Sequence, residues 1–196
     1  MRVLHSLAAI ALAAALAACA LQYRLPAEPP RPVAPQPATG DLRPGLVPLY
    51  FRGMIEHIDN MPRGEDLTKG RRGAAIPVLD ADSSSGVMWE SQDRRNYSVL
   101  MEGLIRLDRP GRWGFAASSN DGIRITIDRH RVVDDPNVHA TQTSPVTFIE
   151  VAQAGWYPLQ VQYFQKGGSA ALKFLWQPPG AGTLAPVPAE ALAHKP

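Results

Sequence analysis

Cysteine is almost absent from this chain, with Cys19 the single example in 196 residues. No internal disulfide can form, so a fold placed in an oxidising compartment must rest on core packing. An excess of one charge is missing too: 20 Lys and Arg against 18 Asp and Glu leave a formal net charge of +2. That is too little to point to nucleic acid as a partner, and the one basic run, Lys69-Gly70-Arg71-Arg72, reads as a solvated loop. No apolar run reaches the roughly 20 residues that a membrane-spanning helix needs. Catalytic groupings are lacking as well. His57, His130, His139 and His194 fall in no metal-ligand spacing, and there is neither a G-x-S-x-G elbow nor a phosphate-cradling glycine loop. No pair of acids is singled out for glycoside hydrolysis. The expectation is a protein that is not an enzyme.

What is present is a succession of alternating apolar and polar positions. With 45% hydrophobic residues the chain has material for one domain with a core, and hardly for two. Val99, Met101, Gly103, Ile105 and Leu107 can share one face, with Glu102, Arg106 and Asp108 on the other. A period of two is what a half-buried strand requires. Arg109-Pro110-Gly111 predicts a hairpin, Trp113, Phe115 and Ala117 return, and Ser119-Asn120-Asp121-Gly122 predicts a second turn. Ile123, Ile125 and Ile127 make the cleanest alternation. A further hairpin follows, with Leu159, Val161 and Tyr163, a turn at Lys166-Gly167-Gly168, then Ala170, Leu172, Phe174 and Trp176. Leu46–Phe51, Val87–Trp89 and Pro145–Val151 read as additional strands, whereas Gly53–Gly73 and Asp80–Gly86 read as loops. Many short strands and no convincing amphipathic helix after Cys19 predict an all-β antiparallel sandwich or barrel.

The N-terminus has a different character. Arg2 and His5 precede the apolar stretch Leu7–Ala18, the layout of a secretory signal. Leu16-Ala17-Ala18-Cys19 resembles the lipobox of bacterial lipoproteins. The resemblance implies cleavage before Cys19, acylation of its thiol and new N-terminus, and a membrane partner through that lipid anchor. The other reading of Cys19 is a buried apolar cysteine or an ordinary signal peptide. Ala20, rather than an aspartate, follows Cys19, which favours the outer over the inner membrane of a cell envelope. Six prolines then fall in the twelve residues Pro26–Pro37. They predict either an extended spacer or a ligand for a proline-reading domain. The expected organisation is a signal peptide at 1–18, lipidated Cys19 and linker at 19–43, and a β-domain at 44–196.

The order Tyr97-Ser98-Val99, Glu102-Gly103, Ser119-Asn120-Asp121-Gly122-Ile123-Arg124, Gly155-Trp156-Tyr157-Pro158, Tyr163-Phe164 and Ala170–Phe174 resembles the anthrax protective-antigen module, the PA-fourteen domain. That resemblance implies an antiparallel β-sandwich, usually an accessory carbohydrate-binding module. In fungal adhesins of the family two consecutive aspartates at this turn hold calcium through a cis peptide, and the ion holds sugar hydroxyls. By that likeness Asn120 and Asp121 are the candidate metal residues, calcium the candidate cofactor, and Gln165–Ser169 the neighbouring loop. Asn120 stands where the family has its first aspartate, which removes one negative charge. The alternative is that Asn120 and Asp121 satisfy backbone amides in a turn. Phe164 and Trp89 are candidates for stacking on sugar rings, and Gln165, Gly167 and Gly168 for binding beside Phe164. Trp113, Trp156 and Trp176 are expected in the core. Two functions follow: an envelope lipoprotein displaying a glycan-binding domain, or a structural component whose partner is another envelope protein.

Overall fold

The computed structural model describes residues 28–196. The expected signal peptide at 1–18, Cys19 and the first part of the linker lie outside the described residues. In chain order the strands are β1 (Arg43–Pro44), β2 (Val47–Arg52), β3 (Arg71–Arg72), β4 (Asp80–Ser83), β5 (Tyr97–Leu107), β6 (Gly111–Asn120) and β7 (Ile123–Ile127). They continue with β8 (His130–Asp135), β9 (Gln142–Thr143), β10 (Thr147–Val151), β11 (Gly155–Gln165), β12 (Ala170–Gln177), β13 (Ala185–Pro186) and β14 (Leu192–His194). Every pairing is antiparallel, and the strands form two facing sheets, the all-β sandwich expected. The eight-stranded sheet runs β1-β14-β5-β11-β7-β8, with β2 also on β5 and β3 on β2. The six-stranded sheet runs β10-β6-β12-β13, with β4 on β12 and β9 on β6.

The core lies between the sheets, where the sequence alternation sends it. Val99, Met101, Ile105 and Leu107 of β5, Leu159, Val161 and Tyr163 of β11, and the three isoleucines of β7 face Trp113, Phe115, Leu172 and Phe174. Trp113 and Trp176 approach to 5.1 Å, and Phe115 and Phe174 to 5.9 Å, between ring centroids. Each fully buried side chain of this size contributes about 1.5–3 kcal/mol through removal from water.

Five expectations need correction. Asp80–Ser83, read as loop, is strand β4, because its backbone pairs with Ala170–Lys173 despite a polar sequence. Val87–Trp89 is no strand: Trp89 has φ +49° and sits in a turn, half-buried against Tyr163. Trp156 is not core. It points outward from β11, half-buried, with the Arg106 guanidinium 6.0 Å from its ring.

The fourth concerns the proline-rich linker, which does not stand free over its described residues. Pro30 is buried, and the Arg31 amide donates to Asp128 Oδ2 at 3.1 Å. The Val33 amide donates to the Trp156 carbonyl at 2.9 Å, and Gln36 Oε1 accepts from the Trp156 amide at 2.7 Å. Asp128 follows the last residue of β7 and Trp156 is the second residue of β11, so the segment lies at the end of the larger sheet opposite Asn120.

The outer face of the larger sheet is covered at its other end. Phe51, Ile55, Ile58, Met61, Leu100 and Phe164 form a second buried cluster, with Leu49 and Leu67 against it. The covering stretch holds two 3-10 turns, Ile58–Asn60 and Gly64–Lys69, and is therefore more than the solvated loop expected. Arg124, its side chain 9% exposed, pins this cover to the sheet. It lies 2.7 Å from Asp59 Oδ1 and 2.7 Å from Asp134 Oδ1. The hydrogen bond from Arg124 holds the Asp59 carboxyl below its usual range.

Candidate functional site

Turn chemistry builds the rim where β6 passes into β7. Asn120 closes β6, Gly122 precedes β7, and the Asn120–Asp121 peptide bond is cis. Gly122 is required by close approach: a Cβ there would run into Phe164 Cε1 and stand 2.9 Å from the Asn137 carbonyl. Asp121 is 3% exposed, its carboxylate turned inward. Its Oδ1 accepts from the His139 amide at 3.2 Å and its Oδ2 from the Lys166 amide at 2.7 Å. One side chain thus ties the turn to two loops distant in sequence. Asn120 faces the other way, its Nδ2 3.5 Å from Thr141 Oγ1 and 3.4 Å from Ser169 Oγ.

Beneath the turn, the Tyr163 hydroxyl donates to the Asn120 carbonyl at 2.6 Å and lies 3.1 Å from Gln165 Oε1. Burial pushes the Tyr163 phenol well above its ordinary value, so it remains a neutral donor. Gln165 Nε2 donates to the carbonyls of Gly168 at 3.3 Å and Ser169 at 3.1 Å. On the far side, Lys166 Nζ lies 2.6 Å from Glu56 Oε1 and holds that carboxyl below its usual range. Asp135 steadies the Thr141 loop: its Oδ2 accepts from Gln142 Nε2 at 2.9 Å and stands 3.3 Å from His139 Nε2.

The expected ligand residues divide. Phe164 is wholly buried in the second cluster and offers no ring to a sugar, a correction to its reading as exposed. It lies on the outer face of its strand, but the Ile55–Met61 stretch covers that face. Gln165 is buried too and braces its own loop. Gly168 and Ser169 are exposed at the loop tip, with Gly167 half-buried beside them. Thr141 and Ser169 complete the surface around Asn120; Ser169 closes the Gln165–Ser169 loop expected beside the turn, whereas Thr141 carries no local signal in the sequence. They meet Asn120 from positions 21 and 49 residues away.

Calcium takes about six to eight oxygen ligands, several of them charged. The residues here do not fit it. Asp121 is the one carboxylate at the turn, and main-chain N–H dipoles converge on both its oxygens. Such paired amides make a place for an anion rather than a cation. Among the described residues no three His, Cys, Asp or Glu side chains group as metal ligands.

Concavities lie elsewhere. Three cavities of about 430, 400 and 330 Å³ run along the outer face of the larger sheet, between the Ile58–Lys69 cover and the Val33 segment. The first and third share Glu102, Gly103 and Pro158, and the second and third share Gln160. Gln160 Nε2 donates to Glu102 Oε1 at 3.0 Å on their floor.

The PA14 domain model matches residues 63–188. The PA14 domain of the MpAFP antifreeze protein superposes with a TM-score of 0.63 at 16% identity, over 76% of this chain and 90% of that one. The epithelial adhesin 9 A domain of Candida glabrata, solved in complex with Galb1-4GlcNAc, gives 0.60 at 9% identity, over 86% of this chain and 97% of that one. In sequence, anti-sigma-I factor RsgI3 of Acetivibrio thermocellus is 25% identical over 101 residues, covering 51% of this chain and 15% of that protein. The matched region takes up 18% of the other curated relative.

Proposed function

The chain belongs to the PA14 domain family, whose model matches residues 63–188, and from that premise we propose that its β-domain binds carbohydrate at the Asn120 rim without catalysing a reaction. One observation carries the reading. Three segments far apart in sequence bring an amide and two exposed hydroxyls, those of Asn120, Thr141 and Ser169, to one place on a rigid scaffold. Amides and hydroxyls both donate and accept, which is what sugar hydroxyls require, and loops fixed by a sandwich commonly carry binding sites. The complex of the Candida adhesin domain with a disaccharide supports the same reading. Cys19 carries the lipid anchor in this proposal, and the domain is displayed in the cell envelope, at the outer membrane. The full-length chain on a glycan array tests the binding: a set of related glycans retained by the wild type and lost in Thr141→Ala with Ser169→Ala is expected. No retained glycan would sink it. Mass spectrometry of the mature N-terminus tests the anchor, with acylated Cys19 expected.

A second reading, a structural component that binds an envelope protein, is favoured by the trough on the larger sheet's outer face, floored by Glu102 and Gln160. Co-purification that fails when Gln160→Ala and Glu102→Ala are combined would select it.

A further inference from the structure

We infer that this rim works without calcium, the Asp121 carboxylate holding in place the loops that a cation would otherwise organise. The inference rests on the carbohydrate reading only for the identity of the ligand; the metal-free rim stands on its own geometry.

A cation at this turn has two physical requirements, negative charge and free oxygen lone pairs directed at one point. The charge requirement is only half met: Asn120 contributes none, which leaves the Asp121 carboxylate as the one anionic group of the turn. Asp121 is nearly sealed from solvent, and each of its oxygens receives a main-chain amide. A cation at those oxygens would lie beside the positive ends of the His139 and Lys166 N–H dipoles and would weaken the bonds that hold both loops. Two charged side chains beside the rim are engaged with neighbours: Lys166 with Glu56, and Asp135 with Gln142.

The bonds that displace the metal also perform its organising task. Asp121 joins the turn to residue 139 on one side and to residue 166 on the other, spanning 18 and 45 positions of sequence. Tyr163 and Gln165 brace the same turn and loop from within. Asp121 is therefore a positioning residue. Asn120, Thr141 and Ser169 remain to bond a ligand directly. An amide and two hydroxyls are matched by a neutral sugar presenting adjacent hydroxyls.

The test uses the full-length chain in detergent. Calorimetric titration with calcium should give no saturable heat up to millimolar concentration, and melting should be the same in calcium as in EGTA. Saturable binding with a melting temperature raised by calcium would overturn the inference. On a glycan array, signals equal in calcium and in EGTA support it, and a signal falling tenfold or more in EGTA overturns it. No glycan signal in either buffer, with silent calorimetry, would support the metal-free rim and sink the carbohydrate reading. Asp121→Asn keeps one acceptor and loses the second, so glycan affinity should fall at least tenfold and remain indifferent to calcium. Restoration of that affinity by calcium would contradict the account.

Discussion

The inner face of the β5–β11 pair meets the other sheet, whereas its outer face meets pieces of chain with no regular period. Inside, Val99, Met101, Val161 and Tyr163 pack against Phe115, Leu172 and Phe174. Outside, Leu100 and Phe164 are covered by Ile55, Ile58 and Met61, and Trp156 by the Gln36 segment. Both faces bury large side chains, but only the first does so by sheet-on-sheet packing. The outer cover is held by a few apolar residues and by the Arg124 ion pairs, so the two faces should fail separately and at different cost.

The sharpest contrast comes from truncating one aromatic on each face. Phe174→Ala should cost about 3–5 kcal/mol, since Phe174 is fully enclosed between the sheets. Urea unfolding would report it as a lowered midpoint of one cooperative transition. Phe164→Ala should cost about 3 kcal/mol, because its cover can partly collapse into the space left. Hydrogen exchange should then rise across Ile55–Met61 while β6 and β12 stay protected. Loss of sugar binding with unchanged stability would instead restore Phe164 as a ligand residue and break the comparison.

Acid should separate the faces next. Asp59 has a folded-state pKa lowered by its hydrogen bond to Arg124. Its stabilising effect is therefore complete above the ordinary carboxylate value of about 4 and is lost as pH falls through the lowered value. Exchange in the 55–67 cover should increase below about pH 4 ahead of exchange in β5 and β11. Simultaneous loss of protection would show the cover and core to be one unit. The smallest effect is expected at Gln36→Ala, at most about 1 kcal/mol, because the hydrogen bonds it loses to Trp156 are exposed. Faster proteolysis between residues 28 and 37, with an unchanged melting temperature, would bear this out.

The same contrast explains how far the sequence could be read. Alternation identified the inner face of β5, β7, β11 and β12, and Pro110-Gly111 and Asn120–Gly122 marked their turns. It could not tell that an outward side chain would be buried, because the Phe164 cover comes from a stretch without period, more than a hundred positions earlier. Asp80–Ser83 reads as loop for a related reason: its strand character comes from the β12 edge, not from its own residues. At the rim, the turn itself announced Asn120 and Asp121. The resemblance brought the Gln165–Ser169 loop to the turn, but Thr141 and the bonds from the His139 and Lys166 amides were invisible, because a main-chain donor has no letter in the sequence and its partner is set by tertiary folding.

The account's central claim is that ligand meets the rim rather than the sheet face. Nuclear magnetic resonance of the full-length chain, titrated with a glycan retained on the array, tests it most directly. The account predicts shifts concentrated at Asn120, Thr141, Gly168 and Ser169, with Glu102, Gly103 and Gln160 unmoved. Shifts centred on Glu102 and Gln160, with the Asn120 turn silent, would contradict it.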